Sequence, residues 1–143
     1  MVTEAPTVEG VDTDGMSAYL AQTTVEFALL FGSHARESVS ASSDVDIALR
    51  FPEEMDAYER FRLRNRIDAE LQQYTTSFVD VSDIDTLPTP VAYAALCEGI
   101  LLVGDVRTVE AYRENVEQKY EATKDDREQA RREFINQLAR GDT

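Results

Sequence analysis

The stretch Phe31-Gly32-Ser33-His34-Ala35-Arg36, followed by Ser42-Ser43-Asp44-Val45-Asp46-Ile47-Ala48-Leu49, decides the reading of this 143-residue chain. An apolar run from Val25 to Phe31 meets a Gly-Ser turn, a short polar loop and a second strand that bears two carboxylates. Successive side chains of a strand point to opposite faces, so Asp44 and Asp46 point one way while Val45, Ile47 and Leu49 point the other. Two aspartates on one face repel each other unless a cation lies between them. Hard oxygen ligands in such a pair suit Mg²⁺, which keeps several waters and usually completes its shell with substrate phosphates. Gly32 lets the backbone come close to a ligand, and Ser33 can begin a short helix whose N–H groups face an anion. A phosphate cradle beside paired carboxylates implies phosphoryl or nucleotidyl transfer.

Working downstream, the second strand runs from Asp44 to about Phe51 and stops at Pro52, which cannot donate to a ladder. A helix from about Asp56 to Tyr74 follows, with an acidic first turn and with Leu63, Ile67, Leu71 and Tyr74 at helical spacing to face the sheet. Tyr58 and Phe61 fall away from that stripe, and Arg60, Arg62, Arg64 and Arg66 spread around the helix as solvated or ion-paired groups. In the third strand, Ser77 to Asp83, the valines Val79 and Val81 take one face and leave Phe78, Asp80 and Ser82 on the other. With the valines set against the helices, Asp80 joins Asp44 and Asp46 on the open face. Asp83 and Asp85 fall at the strand end or beyond it.

The flanks are simpler. Residues Met1 to Asp14 are polar and acidic without periodicity and read as a mobile tail, followed by a short helix from Met16 to Gln22 that Ser17 helps to start. After Pro88, a helix beginning near Thr89 carries Pro90 in its first turn and ends at Gly99. Ile100 to Val103 reads as a fourth strand. From Val106 to Ala139 the pattern is helical with an interruption near Thr123 to Asp126. Val109, Tyr112, Val116 and Tyr120 make one packing stripe there, and Phe134, Ile135 and Leu138 make a later apolar patch that could dock on a partner. The expected organisation is therefore a tail (1–14), a core (15–104) and a C-terminal helical segment (105–143).

Composition bounds the rest. The length suits one domain with a real core, and no secretory signal or membrane-spanning apolar run is apparent, which predicts a soluble, cytoplasmic protein. The single cysteine, Cys97, sits among Ala94, Ala95 and Leu96 as a buried packing residue rather than a nucleophile. The net charge is −14, and only two lysines accompany twelve arginines. That balance argues against general affinity for nucleic acid or anionic membrane. It is similar to that of proteins from a high-salt cytoplasm, where screening removes most self-repulsion. His34, the only histidine, has no second histidine or cysteine near it in sequence to build a transition-metal site.

Gly32-Ser33 and Asp44-Val45-Asp46, with His34 to Ser43 between them, resemble the signature of the nucleotidyltransferase superfamily to which DNA polymerase β belongs: Gly-Ser, roughly ten residues, then Asp-x-Asp. Within it, Gly-Ser-x-Ala-Arg and Ser-Asp-x-Asp look most like the minimal nucleotidyltransferases, antitoxins paired with HEPN-domain toxins. That group usually has Gly after the Arg, where this chain has Glu37. The passage Leu96-Cys97-Glu98-Gly99-Ile100-Leu101-Leu102 also resembles one common in the group. The resemblance implies an α/β (α+β) fold of the polymerase β-like type, a small mixed sheet flanked by helices with a C-terminal helical extension.

It further implies that a third carboxylate on the following strand, here Asp80, acts with Asp44 and Asp46 to hold Mg²⁺, two ions in all. Gly32 and Ser33 would seat the β and γ phosphates, with Arg36 as a cationic phosphate contact and Ser43 as a further one. ATP would be the donor and AMP the group transferred, to a hydroxyl, a tyrosine's, of a HEPN-domain ribonuclease toxin. Two alternatives stay open: a small-molecule nucleotidyltransferase that completes its pocket by dimerising, and a non-catalytic antitoxin that binds its toxin, which Glu37 favours and the three aspartates oppose.

Overall fold

The structure, a computed structural model, describes residues 3–4, 10–32 and 44–141. In chain order its elements are β1 (Thr3–Glu4), α1 (Thr13–Leu20), β2 (Phe27–Phe31), β3 (Val45–Arg50), α2 (Ala57–Leu71), β4 (Val79–Asp83), α3 (Thr89–Glu98), β5 (Ile100–Gly104), α4 (Val106–Ala122) and α5 (Lys124–Ala139). The strands form one mixed sheet in the order β1-β5-β2-β3-β4. β2 is antiparallel to both of its neighbours, whereas β3–β4 and β1–β5 are parallel. A parallel neighbour needs a crossover connection, and α2 supplies the one between β3 and β4. The architecture is the helix-flanked α+β sheet expected from the sequence.

Strand alternation divides the core in two. On one face Ala28, Leu30, Val45, Ile47, Leu49, Val79 and Val81 pack against Met16 and Leu20 of α1 and Ile67 and Leu71 of α2. On the other, Phe27, Leu29, Ala48 and Leu101 pack against α3 through Ala92, Ala95 and Leu96, and against α4 through Val109 and Val116. β2 lies mid-sheet and is covered on both sides, which is why its sequence is an unbroken apolar run rather than an alternating one. Each of the valine, leucine and isoleucine side chains buried here contributes about 1.5–3 kcal/mol of transfer free energy.

The starts of α1, α2 and α4 are fixed by aspartates. Asp56 accepts from the Glu59 N–H at 2.8 Å while Glu59 reaches back to the Asp56 N–H, a reciprocal capping box. Asp105 caps α4. Asp12 caps α1 by accepting from Gly15 N–H at 2.9 Å, so the first helix starts at Thr13, earlier than Met16, and Ser17 lies inside it. The start moves forward because Val11 is buried and bridged to Thr75, which ties the chain down ahead of the helix. Nor is the whole of residues 1–14 a tail. Thr3–Glu4 pairs in parallel with Ile100–Leu101 along one sheet edge.

The opposite edge, β4, is closed by side chains. Gln72, in the short turn after α2, donates from Nε2 to the Val79 carbonyl at 3.1 Å and accepts from the Val79 N–H at 3.3 Å. Its amide therefore behaves as one residue of a missing strand, and Arg64 donates to the Val81 carbonyl at 3.4 Å. Such caps protect an edge that would otherwise template pairing with another chain. The C-terminal helical run breaks at Thr123, where α4 and α5 meet. Phe134, Ile135 and Leu138 on α5 are exposed. Cys97 is half-buried rather than fully packed away, and a hydrogen bond links it to Tyr93.

Candidate active site

Register places the acidic residues. Phe31, the last residue of β2, lies opposite Asp46 on β3, and Asp46 lies opposite Asp80 on β4. Side chains of in-register partners share a face, and adjacent strands are about 4.8 Å apart. Phe31, Asp46 and Asp80 thus form a row across three strands. Asp44, one residue before β3 and two before Asp46, falls on the same side by alternation. This is the face that carries α3 and α4, at the end of the strands where Asp44 and Asp80 are exposed and Asp46 is half-buried. Phe78, next to Asp80 in the alternation and bonded through its carbonyl to the Val45 N–H at 2.8 Å, is 64% exposed beside them.

Gly32 fixes where Asp46 can sit. Its φ of +81° is a left-handed value that residues with a Cβ rarely adopt. A Cβ placed there would lie 2.5 Å from Asp46 Oδ2. The missing side chain is therefore the space the carboxylate occupies, and the turn after β2 and the second aspartate of Asp-Val-Asp are in direct contact. Ser33, Arg36 and Ser43, with His34 and Glu37, lie outside the described residues.

The donor set suits a hard divalent cation. Among the described residues no three His, Cys, Asp or Glu side chains gather into a metal-holding group. Mg²⁺ does not require one, since it is bound through one or two carboxylates with waters and substrate phosphates making up the rest. Asp46 and Asp80, side by side on adjacent strands with no soft ligand between them, offer that pair.

A second charged cluster, not anticipated from spacing, occupies the far end of the same sheet. Asp85, just past β4, accepts from Arg50, from Arg60 at 3.0 Å and from the Tyr112 hydroxyl, while Arg60 also pairs with Asp83 at 3.2 Å. Arg50 lies over the Tyr112 ring, 5.0 Å from its centroid, and also pairs with Glu53 and Glu26. Burial alone would raise the Asp85 carboxyl, but the hydrogen bonds from Tyr112 and Arg60 and the charges of both arginines hold it below the usual carboxylate range. Burial, and then the hydrogen bond to Asp85, push the Tyr112 hydroxyl up. The cluster joins α2, β3, the turn after β4 and α4, and it uses the charges of Arg50 and Arg60 away from the aspartate row. The long-range contacts of a turn residue have no local sequence signal; only the count of arginines on α2 hinted at them.

The family described as "Polymerase beta, Nucleotidyltransferase" matches residues 16–107, which span α1 to the start of α4 and include Gly32, Asp44, Asp46 and Asp80. The chain belongs to the polymerase β nucleotidyltransferase family. Among solved structures, it is similar to a crystal structure of a toxin-antitoxin with AMP-PNP, at 20% identity and a TM-score of 0.71 over 87% of this chain and 99% of that one. It is also similar to the MntA-HepT toxin-antitoxin, at 19% identity and a TM-score of 0.63 over 86% and 97% of the two chains. A third similar structure is the tri-AMPylated Shewanella oneidensis HEPN toxin in complex with MNT antitoxin, at 18% identity and a TM-score of 0.63 over 86% and 98%. At these identities the likeness is one of fold, and it covers a larger share of the chain than the family match does. No curated protein matches the chain significantly. No helix among the described residues is long and apolar enough to cross a membrane.

Proposed function

We propose that this chain is a Mg²⁺-dependent nucleotidyltransferase antitoxin of the cytoplasm, which transfers AMP from ATP to a hydroxyl, a tyrosine's, on a cognate HEPN ribonuclease toxin and so neutralises it. The observation that carries the reading is the contact between the Gly32 turn and Asp46, with Asp80 in register beside Asp46, in a chain of this family. The S. oneidensis HEPN toxin that is tri-AMPylated in complex with MNT antitoxin, and the toxin-antitoxin with AMP-PNP, support the choice of donor and acceptor.

In this reading Asp44, Asp46 and Asp80 hold the metal, two ions with the nucleotide bound. A metal held there would supply positive charge against the triphosphate and the leaving pyrophosphate. The turn at Gly32 and Ser33 presents backbone N–H groups to the β and γ phosphates, and Arg36 and Ser43 add a cation and a hydroxyl. Asp80, exposed at the strand edge, accepts the proton of the acceptor hydroxyl as its oxygen attacks the α-phosphorus. A new P–O bond to the acceptor forms, the bond to the bridging oxygen breaks, and pyrophosphate leaves. Rigid strands do the positioning, which is most of what phosphoryl transfer asks of a protein.

The test is to incubate the purified chain with α-labelled ATP, Mg²⁺ and the product of the neighbouring gene. Label on the partner, lost in Asp44→Ala and Asp46→Ala variants that melt like the parent, supports the proposal. Label only on an added small acceptor would make the chain a small-molecule enzyme. Tight complex formation with no label, unchanged by Asp46→Ala, would make it an antitoxin that acts by binding.

A further inference from the structure

Beside the aspartate row, on the same face, lies a cavity of about 290 Å³ between the end of β2 and α3. Phe31 and Gly32 form one wall. Pro90, Ala94 and Glu98, spaced four apart and so stacked along one side of α3, form the other with Val91. Phe31 is the in-register neighbour of Asp46, and Gly32 touches the Asp46 carboxylate. The cavity therefore opens directly onto the β2 side of the row, opposite Asp80 on the β4 side. The geometry points to this cavity as the subsite for the nucleobase of the donor, with Glu98 as the residue that selects adenine. This rests on the nucleotidyltransferase reading.

Three features narrow the occupant. Among the described residues its walls are an aromatic ring, a proline, a valine and alanine, with one carboxylate, Glu98, among them, a lining that suits a flat ring bearing a hydrogen-bond donor. At about 290 Å³ it is at the small end of ligand cavities, suited to one ring system rather than a whole nucleotide. Its position on the Gly32 side matches a donor whose phosphates reach the glycine-serine turn. An acceptor hydroxyl must approach from the Asp80 side instead. A carboxylate at the rim accepts from the exocyclic amine of adenine, whereas the keto oxygen of hypoxanthine would face it acceptor to acceptor. A site built around one hydrogen bond rejects the analogue that leaves that bond unmade.

The experiment is titration calorimetry on the full chain with Mg²⁺ and three probes: ATP, inosine triphosphate and inorganic triphosphate. Two variants at exposed positions, Glu98→Gln and Ala94→Leu, are titrated in parallel after thermal melts show that each folds as the parent does. The parent should bind ATP about tenfold or more tighter than inosine triphosphate. Glu98→Gln, whose amide can donate as well as accept, should bring that ratio close to one. Ala94→Leu should weaken both nucleotides about tenfold or more and leave inorganic triphosphate unchanged, because it fills only the ring slot. An unchanged ATP preference in Glu98→Gln, or ATP binding in Ala94→Leu equal to the parent's, overturns the base subsite while triphosphate binding keeps the nucleotidyltransferase reading standing. Failure of the parent to bind any of the three overturns both.

Discussion

Gly32→Ala separates two costs that the structure lets one estimate independently. The first is backbone strain: a φ of +81° is disfavoured for alanine by about 1–2 kcal/mol, partly offset by about 0.4–1 kcal/mol from the stiffer unfolded chain. The net loss, about 1 kcal/mol, corresponds to roughly 4 °C in melting temperature for a chain of this size. The second cost falls on the site. A Cβ at 2.5 Å from Asp46 Oδ2 cannot stay there, and the carboxylate must retreat by about 0.5–1 Å to reach ordinary contact. Misplacing a catalytic group by that much costs about 100-fold in rate. Gly10→Ala is the control, because Gly10 has the same φ of +81° with nothing within 4 Å of its added Cβ. Both variants should melt a few degrees below the parent, and only Gly32→Ala should lose AMP transfer, measured with labelled ATP and the partner protein. Transfer by Gly32→Ala within a few-fold of Gly10→Ala would refute the claim that the glycine makes room for Asp46.

Three other outcomes follow from the packing and the charges. Gln72→Ala leaves the buried Val79 with both edge groups unbonded, so urea unfolding should show a loss of about 1–3 kcal/mol, with a rise in light scattering as the β4 edge opens. Asp85, held low, contributes fully above about pH 4 and loses its contribution as pH falls further, whereas Tyr112, pushed up, contributes below about pH 10 and loses its contribution as pH rises through its folded value. Melting curves from pH 9 to 12 should therefore fall less steeply for Tyr112→Phe than for the parent. With a net charge of −14, the chain should melt higher in about 1 M KCl, where the screening length is near 3 Å, than in 0.1 M; a flat or falling response would count against adaptation to a salty cytoplasm.

Side-chain alternation made the two faces of the strands readable: Val79 and Val81 pack towards α1 and α2 while Asp80 takes the other face, and Val45, Ile47 and Leu49 do the same around Asp46; that second face is not open as expected, because α3 and α4 cover it away from the aspartates. Helical spacing likewise marked Ile67 and Leu71 on α2 and Val109 and Val116 on α4. Register was not readable, because it is set by which strands pair and how far they slide, and nothing local says that Phe31, Asp46 and Asp80 lie in one row. The N-terminal strand was missed for a related reason: two residues, Thr3 and Glu4, carry no pattern, and only the open edge of β5 gives them a partner. The Asp12 cap was missed because the residues before it carry no periodicity, and only the tertiary bridge of the buried Val11 to Thr75 fixes the helix start there. The Asp85 cluster draws on four separate segments, so no window of sequence contains it.

Charge also bears on how such a site could work. An acidic chain offers a row of aspartates to a polyanionic donor, and Arg50, the nearest described arginine on β3, is already engaged by Asp85, Glu53 and Glu26. On the proposed function, the attraction for a triphosphate would then come from Arg36, from cations that arrive with it and from backbone N–H groups at the glycine-serine turn. The same surface charge would favour encounter with a basic partner. On the proposed function, adding AMP would place a phosphodiester's negative charge on the acceptor beside the aspartate row. Each transfer would then replace a neutral hydroxyl near the aspartates with an anion, and that repulsion would help release the modified product.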